Sequence, residues 1–406
     1  MGPSRQLLAE QFLLCHEFDQ IGPLHQRLGH QNGDVLMADL AIGRDVLALQ
    51  VGVDRHLFDT ASTNGVYEID GRRAAFLLQQ LERSVADSNV HASTIHGQRH
   101  RHRVGRVTFS LIDPEARALG SLSVGPVAFG CWRFTTQSVP EATAMLDTAV
   151  GAGLNLVDTA DVYGLDWGGT GFGDNEAMLG KVLAENQGLR DRIVLATKGG
   201  IIPPTPYNSG AEYLRTACEA SLRRLGVEVI DLYQIHRHDF YTHPAELAAV
   251  LTELRDAGKI REVGVSNHTP SQTDALAAHL DFPVVSDQPE FSLLALDPLR
   301  DGTLDRCMQH GRVPLAWSPL GGGRLATGQD LPEDLGAVME ELAEREGVSL
   351  AVLAVAFVLA HPSKPVAIVG SQRPERLVEQ AAATNVTLDR DDVYRLIQAA
   401  EGRPLP

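Results

Sequence analysis

The chain has 406 residues, 44% hydrophobic and 21% charged, with a formal net charge of −17. That length exceeds one average domain but suits one large barrel with an added segment, and the acidity argues against nucleic-acid or anionic-membrane partners, which need a basic surface. No apolar run reaches 18 residues, and no basic start leads into an apolar stretch with a small-residue cleavage site, so a soluble cytoplasmic protein is expected.

In chain order, residues 1–106 carry 11 arginines, no lysine and 12 acids, whereas residues 107–406 carry 24 bases against 40 acids. Eight of the fifteen histidines fall in the first part, which ends in the run His96-Gly97-Gln98-Arg99-His100-Arg101-His102-Arg103. Residues 1–110 therefore read as a poorly structured N-terminal extension, or as the product of a misassigned start, with Val104 or Val107 as the initiator. A metal-binding or nucleic-acid-binding tail competes with these readings, but its spacing matches no defensible ligand set. The cysteines, Cys15, Cys131, Cys218 and Cys307, lie far apart without a C-x-x-C pair, and free thiols are expected rather than a zinc knuckle or disulfide framework.

From residue 111 to 406 the pattern becomes regular. Strand-length apolar runs at 126–132, 154–158, 193–198, 231–236, 262–267, 284–290, 313–319 and 365–370 alternate with amphipathic segments. Those segments include 141–152, 176–185, 211–225, 244–257, 271–279, 303–310 and 376–383. Thr269-Pro270-Ser271 carries a helix start signal, and Gly226 and Gly258 carry stop signals. Strands apolar on both faces, each followed by a helix, imply a parallel sheet covered by helices. Eight such units predict an α/β fold, a (β/α)8 TIM barrel with an N-terminal β-hairpin. An open doubly wound sheet is the alternative, but no G-x-G-x-x-G follows an early strand.

Barrel chemistry sits at the C-terminal ends of the strands. Three consecutive strand runs deliver Asp158 with Tyr163, then Lys198, then His236 to that rim. Each has a bland reading: a capping acid, a packed aromatic, a solvated strand end, a satisfied core histidine. Jointly those readings fail, because an acid, a phenol, an ammonium and an imidazole share one rim. Lys198 is moreover one of four lysines in a chain that otherwise uses arginine, whose guanidinium is not tuned in the same way. A phenol between an ammonium and an imidazole is a proton donor suited to a carbonyl oxygen. A free phenol, with its pKa near ~10, needs a stabilised phenolate to act at neutral pH. Lys198 can supply that stabilisation, kept charged by Asp158, while a neutral His236 orients the carbonyl.

At these residues the sequence resembles the aldo/keto reductase superfamily over roughly residues 112–396. The matching motifs are Gly130-Cys131-Trp132, Asp158-Thr159-Ala160-Asp161-Val162-Tyr163-Gly164, Ala196-Thr197-Lys198, Ile235-His236, Gly264-Val265-Ser266-Asn267, Gln288 and Trp317-Ser318-Pro319-Leu320. The wording around Ile235-His236-Arg237 and Leu315 to Leu325 looks most like a bacterial branch of NADP-dependent oxidoreductases. The resemblance implies NAD(P)H-dependent reduction of an aldehyde or ketone to an alcohol, with the family's tetrad falling on Asp158, Tyr163, Lys198 and His236. It further implies that Ser266, Asn267 and Gln288 hold the nicotinamide carboxamide, that Trp317 stacks on the ring, and that Trp132 borders it.

Ser318, Leu320, Gly321 and Arg324 are placed for the pyrophosphate, and the helix that opens after Gly370 and Ser371 favours an anionic group. Gly370 replaces a lysine that many family members direct at the 2′-phosphate. Ser371 and Arg376 match the remaining phosphate positions, with Gln380 in place of the usual Asn near the adenine. NADPH is the expected cofactor, with NADH the alternative. Trp167, Phe172 and Tyr207 lie in rim loops as candidate walls of the substrate pocket, or as anchors of those loops. A small carbonyl compound bearing apolar groups is the expected substrate; oligomeric state is not written in the sequence. Two other functions compete: a nucleotide-binding sensory module of the same fold with little turnover, and a barrel hydrolase with a metal on His236, His238 and Asp239. The second lacks a histidine from another strand end.

Overall fold

Eight short apolar segments from residue 127 onward form the wall of a closed parallel barrel. They are β1 (Val127–Gly130), β2 (Leu156–Asp158), β3 (Val194–Gly199), β4 (Ile230–Ile235), β5 (Ile260–Ser266), β6 (Val284–Gln288), β7 (Val313–Ala316) and β8 (Val366–Val369). Each pairs in parallel with its neighbour in sequence, and β8 closes on β1 through Ala367 opposite Val127. Burial from both sides explains the unbroken apolar runs: every residue of β3 and of β4 is buried. The computed structural model describes residues 110–134, 138–165 and 168–406, together with four strand backbones nearer the N-terminus.

Those four strands, Gln26–His30, Val35–Ile42, Asp45–Gly52 and Val66–Tyr67, form an antiparallel sheet within the unit Met1–Arg103. The rest of that unit, including Cys15 and the histidine-arginine run, lies outside the described residues. The barrel belongs to a second unit, Val104–Pro406.

Helices follow the strands: α1 (Val139–Gly151), α2 (Asp174–Glu185), α3 (Ala211–Leu225), α4 (Pro244–Asp256), α5 (Pro270–Ala277) and α6 (Thr303–His310). The start and stop signals are where the pattern puts them. Thr269 caps α5 in a reciprocal box with Gln272, and Gly226 ends α3 in the left-handed conformation at φ 66°. Between β7 and β8 the chain forms α7 (Arg324–Thr327), α8 (Glu333–Glu346) and α9 (Leu350–Leu359); α10 (Pro374–Ala381) and α11 (Arg390–Glu401) follow β8. The periodicity does not single out α9, Leu-Ala-Val-Leu-Ala-Val-Ala-Phe-Val-Leu, because it is apolar all round and buried at nine of its ten positions. β6 and β7 also stop short of the expected residues 290 and 319, and Ser318, at φ 53°, turns the chain away from β7.

Two apolar cores result. One lies between strands and helices; the other fills the barrel with Leu156, Val194, Ala196, Leu232, Leu315 and Val366. The expected hairpin, Arg117–Leu119 paired with Leu122–Val124, adds Leu119 and Val124 to this inner core. Its turn is fixed to β5: the Ser121 amide and hydroxyl donate to one Glu262 carboxylate oxygen at 2.7 and 2.6 Å. Gly120 turns the chain at φ 62°, a left-handed conformation that favours glycine. No helix among the described residues is long and apolar enough to cross a membrane.

Candidate active site

Strand alternation aims the chemistry inward. Along β3 it brings Val194, Ala196 and then Lys198 to the barrel interior, and along β4 Leu232, Gln234 and then His236. Lys198 is fully buried; its ammonium donates to Asp158 Oδ2 at 2.5 Å, to the Thr159 carbonyl at 2.9 Å and to the Tyr163 hydroxyl at 3.3 Å. Since the ammonium is the donor to the phenol oxygen, the phenol's own proton is left to point elsewhere. The His236 ring meets the Tyr163 ring edge to face, with centroids 5.7 Å apart.

Burial sets the protonation states. It depresses the Lys198 pKa, but Asp158 and Tyr163 together outweigh it and hold the ammonium charged. Burial also pushes the Tyr163 pKa up, and the attraction of Lys198 recovers only part of that rise. Tyr163 is thus a phenol rather than a phenolate at neutral pH, and Lys198 limits the rise rather than producing a net fall. For His236, burial and then the charges of Lys198 and Arg237 drive the pKa well below its usual value, leaving a neutral ring. Its Nδ1 is buried without a hydrogen-bond partner.

A second layer not anticipated from the motifs holds Asp158. The Gln234 and Gln288 side-chain amides donate to Asp158 Oδ1 at 3.0 and 3.1 Å, and Gln288 also donates to Gln234 Oε1 at 3.1 Å. Gln234 had a signal: an amide in an apolar strand, two residues before His236 and so on the same face. Asn175, at the start of α2, ties the first loop to the second by donating to the carbonyls of Cys131 and Trp132.

The expected cofactor residues form a chain along the rim. Ser266 Oγ donates to the Gln288 carbonyl at 2.9 Å, and Asn267 donates to Ser266 Oγ at 2.8 Å and to the His236 carbonyl at 3.3 Å. The Trp317 indole in turn donates to Asn267 Oδ1 at 3.0 Å. Asn267 is left-handed at φ 55°, as Ser318 is, and Gly321, Gly322 and Gly323 follow at φ 55°, 71° and 102°. The amides of Gly321, Gly322 and Gly323 are spent within the turn, on the Ser318 carbonyl at 2.9 Å, the Ser318 hydroxyl at 3.1 Å and the Leu320 carbonyl at 3.0 Å. Arg324 is exposed beside it, with Nε on the Gly321 carbonyl at 3.4 Å, and Leu320 is half-buried.

Trp132 is 40% exposed, with the Arg133 guanidinium 5.6 Å from its ring centroid. Beyond β8, Gly370 and Arg376 are exposed, and Ser371 Oγ accepts from the Arg373 amide at 3.2 Å ahead of α10. Gln380 is buried on α10 with its Oε1 unpartnered. These features fit a nicotinamide dinucleotide: amides and hydroxyls at the tetrad, the exposed Arg324 beside a glycine turn, and the open N-terminus of α10. Of the candidate pocket walls, Trp167 lies outside the described residues. Phe172 packs under the Arg224 guanidinium at 5.8 Å, as a loop anchor would, and Tyr207 meets Phe240 edge to face at 6.0 Å.

The sequence profile of the aldo/keto reductase family matches residues 126–401. The chain belongs to this family. It is 46% identical to a 6-dehydroglucose reductase of Novosphingobium aromaticivorans over 300 residues, 73% of this chain and 98% of the relative. It is 33% identical to a 6-dehydroglucose reductase of Agrobacterium fabrum over 294 residues, 70% of this chain and 96% of that one. Among solved structures it resembles the thermostable aldo-keto reductase Tm1743 in complex with the inhibitor epalrestat, with a TM-score of 0.60 and 26% identity over 69% of this chain and 97% of that one. The aldo/keto reductase assigned here is an oxidoreductase of carbonyl compounds, which disfavours a sensory module without turnover.

Proposed function

We propose that this aldo/keto reductase uses NADPH to reduce the aldehyde group of a sugar, with Tyr163 as proton donor. The bond pattern of Lys198 carries the reading: one buried ammonium, paired with Asp158, donates to the phenol oxygen and leaves the phenol proton free for another acceptor. NADPH supplies the hydride when bound. Tyr163 gives its proton to the carbonyl oxygen as negative charge develops there, and Lys198 stabilises the phenolate that remains. Neutral His236 keeps that oxygen near the phenol. Gln234 and Gln288 hold Asp158 and thereby the position of Lys198.

Ser266, Asn267, Gln288 and Trp317 would hold the nicotinamide beside Trp132. Ser318, Leu320, Gly321 and Arg324 would meet the pyrophosphate, with Gly370, Ser371, Arg376 and Gln380 toward the adenosine end. Without a lysine at Gly370, selection for the 2′-phosphate falls to Ser371 and Arg376. The sugar aldehyde replaces the apolar substrate expected from the loops, because the two relatives named as 6-dehydroglucose reductases are matched over nearly their whole length. The test is a substrate panel on purified protein. kcat/KM for 6-dehydroglucose is expected to exceed that for apolar aldehydes of similar size, with NADPH favoured; equal KM values for NADPH and NADH would overturn the cofactor choice.

A further inference from the structure

The segment between Asp158 and Tyr163 does not leave the sheet at once. The Thr159 amide donates to the Ala196 carbonyl at 2.9 Å and the Asp161 amide to the Lys198 carbonyl at 3.0 Å, so the loop rides along β3 beyond the last residue of β2. The Asp161 rung therefore lands on the residue whose ammonium holds Tyr163.

Asp161 extends to the other side of the wall. A Cβ built on outward-facing Gly199 would stand 3.6 Å from Asp161 Oδ2 and 2.2 Å from the Tyr233 hydroxyl. Behind β3 and β4 lies a buried polar cluster outside the tetrad: Glu176 from α2, Tyr213, Cys218 and Arg224 from α3, Thr197 from β3 and Tyr233 from β4. Its one guanidinium is already engaged. Arg224 bonds Glu176 Oε2 through Nε at 2.7 Å, with its terminal nitrogen 2.6 Å away, and Thr197 donates to Glu176 Oε1 at 2.5 Å.

Asp161 is left without a counter-ion. It is fully buried, and neither carboxyl oxygen has a hydrogen-bond partner; the Tyr233 hydroxyl has none either. The Val162 amide and the Tyr213 hydroxyl lie near enough to pull its pKa down in part, and Tyr213 also donates to the Ile201 carbonyl at 3.4 Å. An ionised carboxylate in this position would be buried unpaired beside a second acid, a costly arrangement that neutralisation removes.

We propose that Asp161 is a positioning residue held as the uncharged acid, fixing the turn that delivers Tyr163 while keeping a second negative charge away from Lys198 and the phenol. A negative charge there would disfavour the phenolate that proton transfer creates. Burial first, and then Glu176, drive the Asp161 pKa well above its usual value against the pull of Arg224. The sign follows: a raised folded-state pKa gives stability that is complete below the unfolded value near ~3.9 and lost as pH rises through the shifted value.

The role rests on Tyr163 as proton donor, so the test pairs turnover with two readouts independent of it. Asp161→Ala is expected to lower kcat about tenfold, roughly 1.4 kcal/mol of barrier, with cofactor affinity unmoved, and Asp161→Asn, neutral and of the same shape, to recover most of the loss. Asp161→Asn should also flatten the decline of thermal stability as pH rises above the ordinary aspartate range. Equal losses in both variants, or a stability profile in Asp161→Asn parallel to that of the parent, overturn the proposal. Should neither variant fold, carbon-13 spectra of aspartate-labelled parent protein decide: one acid-form carboxyl besides that of Asp287, which burial also raises, is expected to persist above the ordinary aspartate range. Its absence overturns the proposal. Loss of turnover with the carboxyl signal intact would count against Tyr163 and not against the proton on Asp161.

Discussion

In the proposed reaction Tyr163 and Lys198 divide proton donation between them: the phenol would hold the proton that leaves, and the ammonium would make its departure tolerable. Tyr163→Phe removes the proton and is expected to lower kcat by about 100-fold or more with cofactor affinity unchanged, measured by single-turnover kinetics and fluorescence titration. A loss below about tenfold would count against Tyr163 as the acid. His236 makes a separate prediction through its depressed pKa. The neutral ring persists as pH falls through the usual histidine value near ~6.5, so the acid limb of the pH–kcat profile should lie below it; a midpoint at the ordinary value would assign a different group. The tetrad was legible because each member closes an apolar run or follows one within a few residues. The roles of Gln234 and Asp161 were not. Gln234 is marked by its spacing to His236 but its partner Asp158 is far off in the chain, and the isolation of Asp161 depends on Arg224 being engaged by Glu176, which spacing along the chain does not reveal.

At the scale of elements, the catalytic loops depend on how closely α2 and α3 pack. Gly180 on α2 faces the backbone of α3, and a Cβ there would stand 2.1 Å from the Arg224 carbonyl oxygen. Gly180→Ala is therefore expected to cost about 1–3 kcal/mol in denaturant unfolding. It should also reduce kcat, because α2 carries Asn175 and Glu176 and so braces the first two catalytic loops. Unchanged stability would mean that the helices separate at no cost. The alternation of strand and helix, with its caps, could be read from the sequence because amphipathic helices between doubly buried strands leave two distinct periods. α9 could not, since a helix buried on all sides has no period, and the ends of β6 and β7 depend on backbone turns at residues with no strong preference for them.

For the whole molecule, the family match begins at residue 126 and the barrel unit at Val104. Ahead of that match the Leu111 amide donates to the Leu388 carbonyl at 2.8 Å and Ser110 Oγ to the Val386 carbonyl at 3.1 Å. Protein beginning at Ser110 is accordingly expected to fold and to turn over at the rate of the full chain, measured side by side by calorimetry and steady-state kinetics. A truncated protein that folds but is inactive would give residues 1–109 a part in catalysis. In the sequence the composition changes near residue 106, and the four strands of the first unit lie in stretches without a clean period.

The hairpin seated on Glu262 has a kinetic consequence. With Leu119 and Val124 packed into the barrel core, traffic through the far end is blocked, and both reactants must share the rim. A vessel with one mouth imposes a queue: whichever molecule lies deeper arrives first and departs last. If the nucleotide lies beneath the sugar, product alcohol must leave before spent cofactor can.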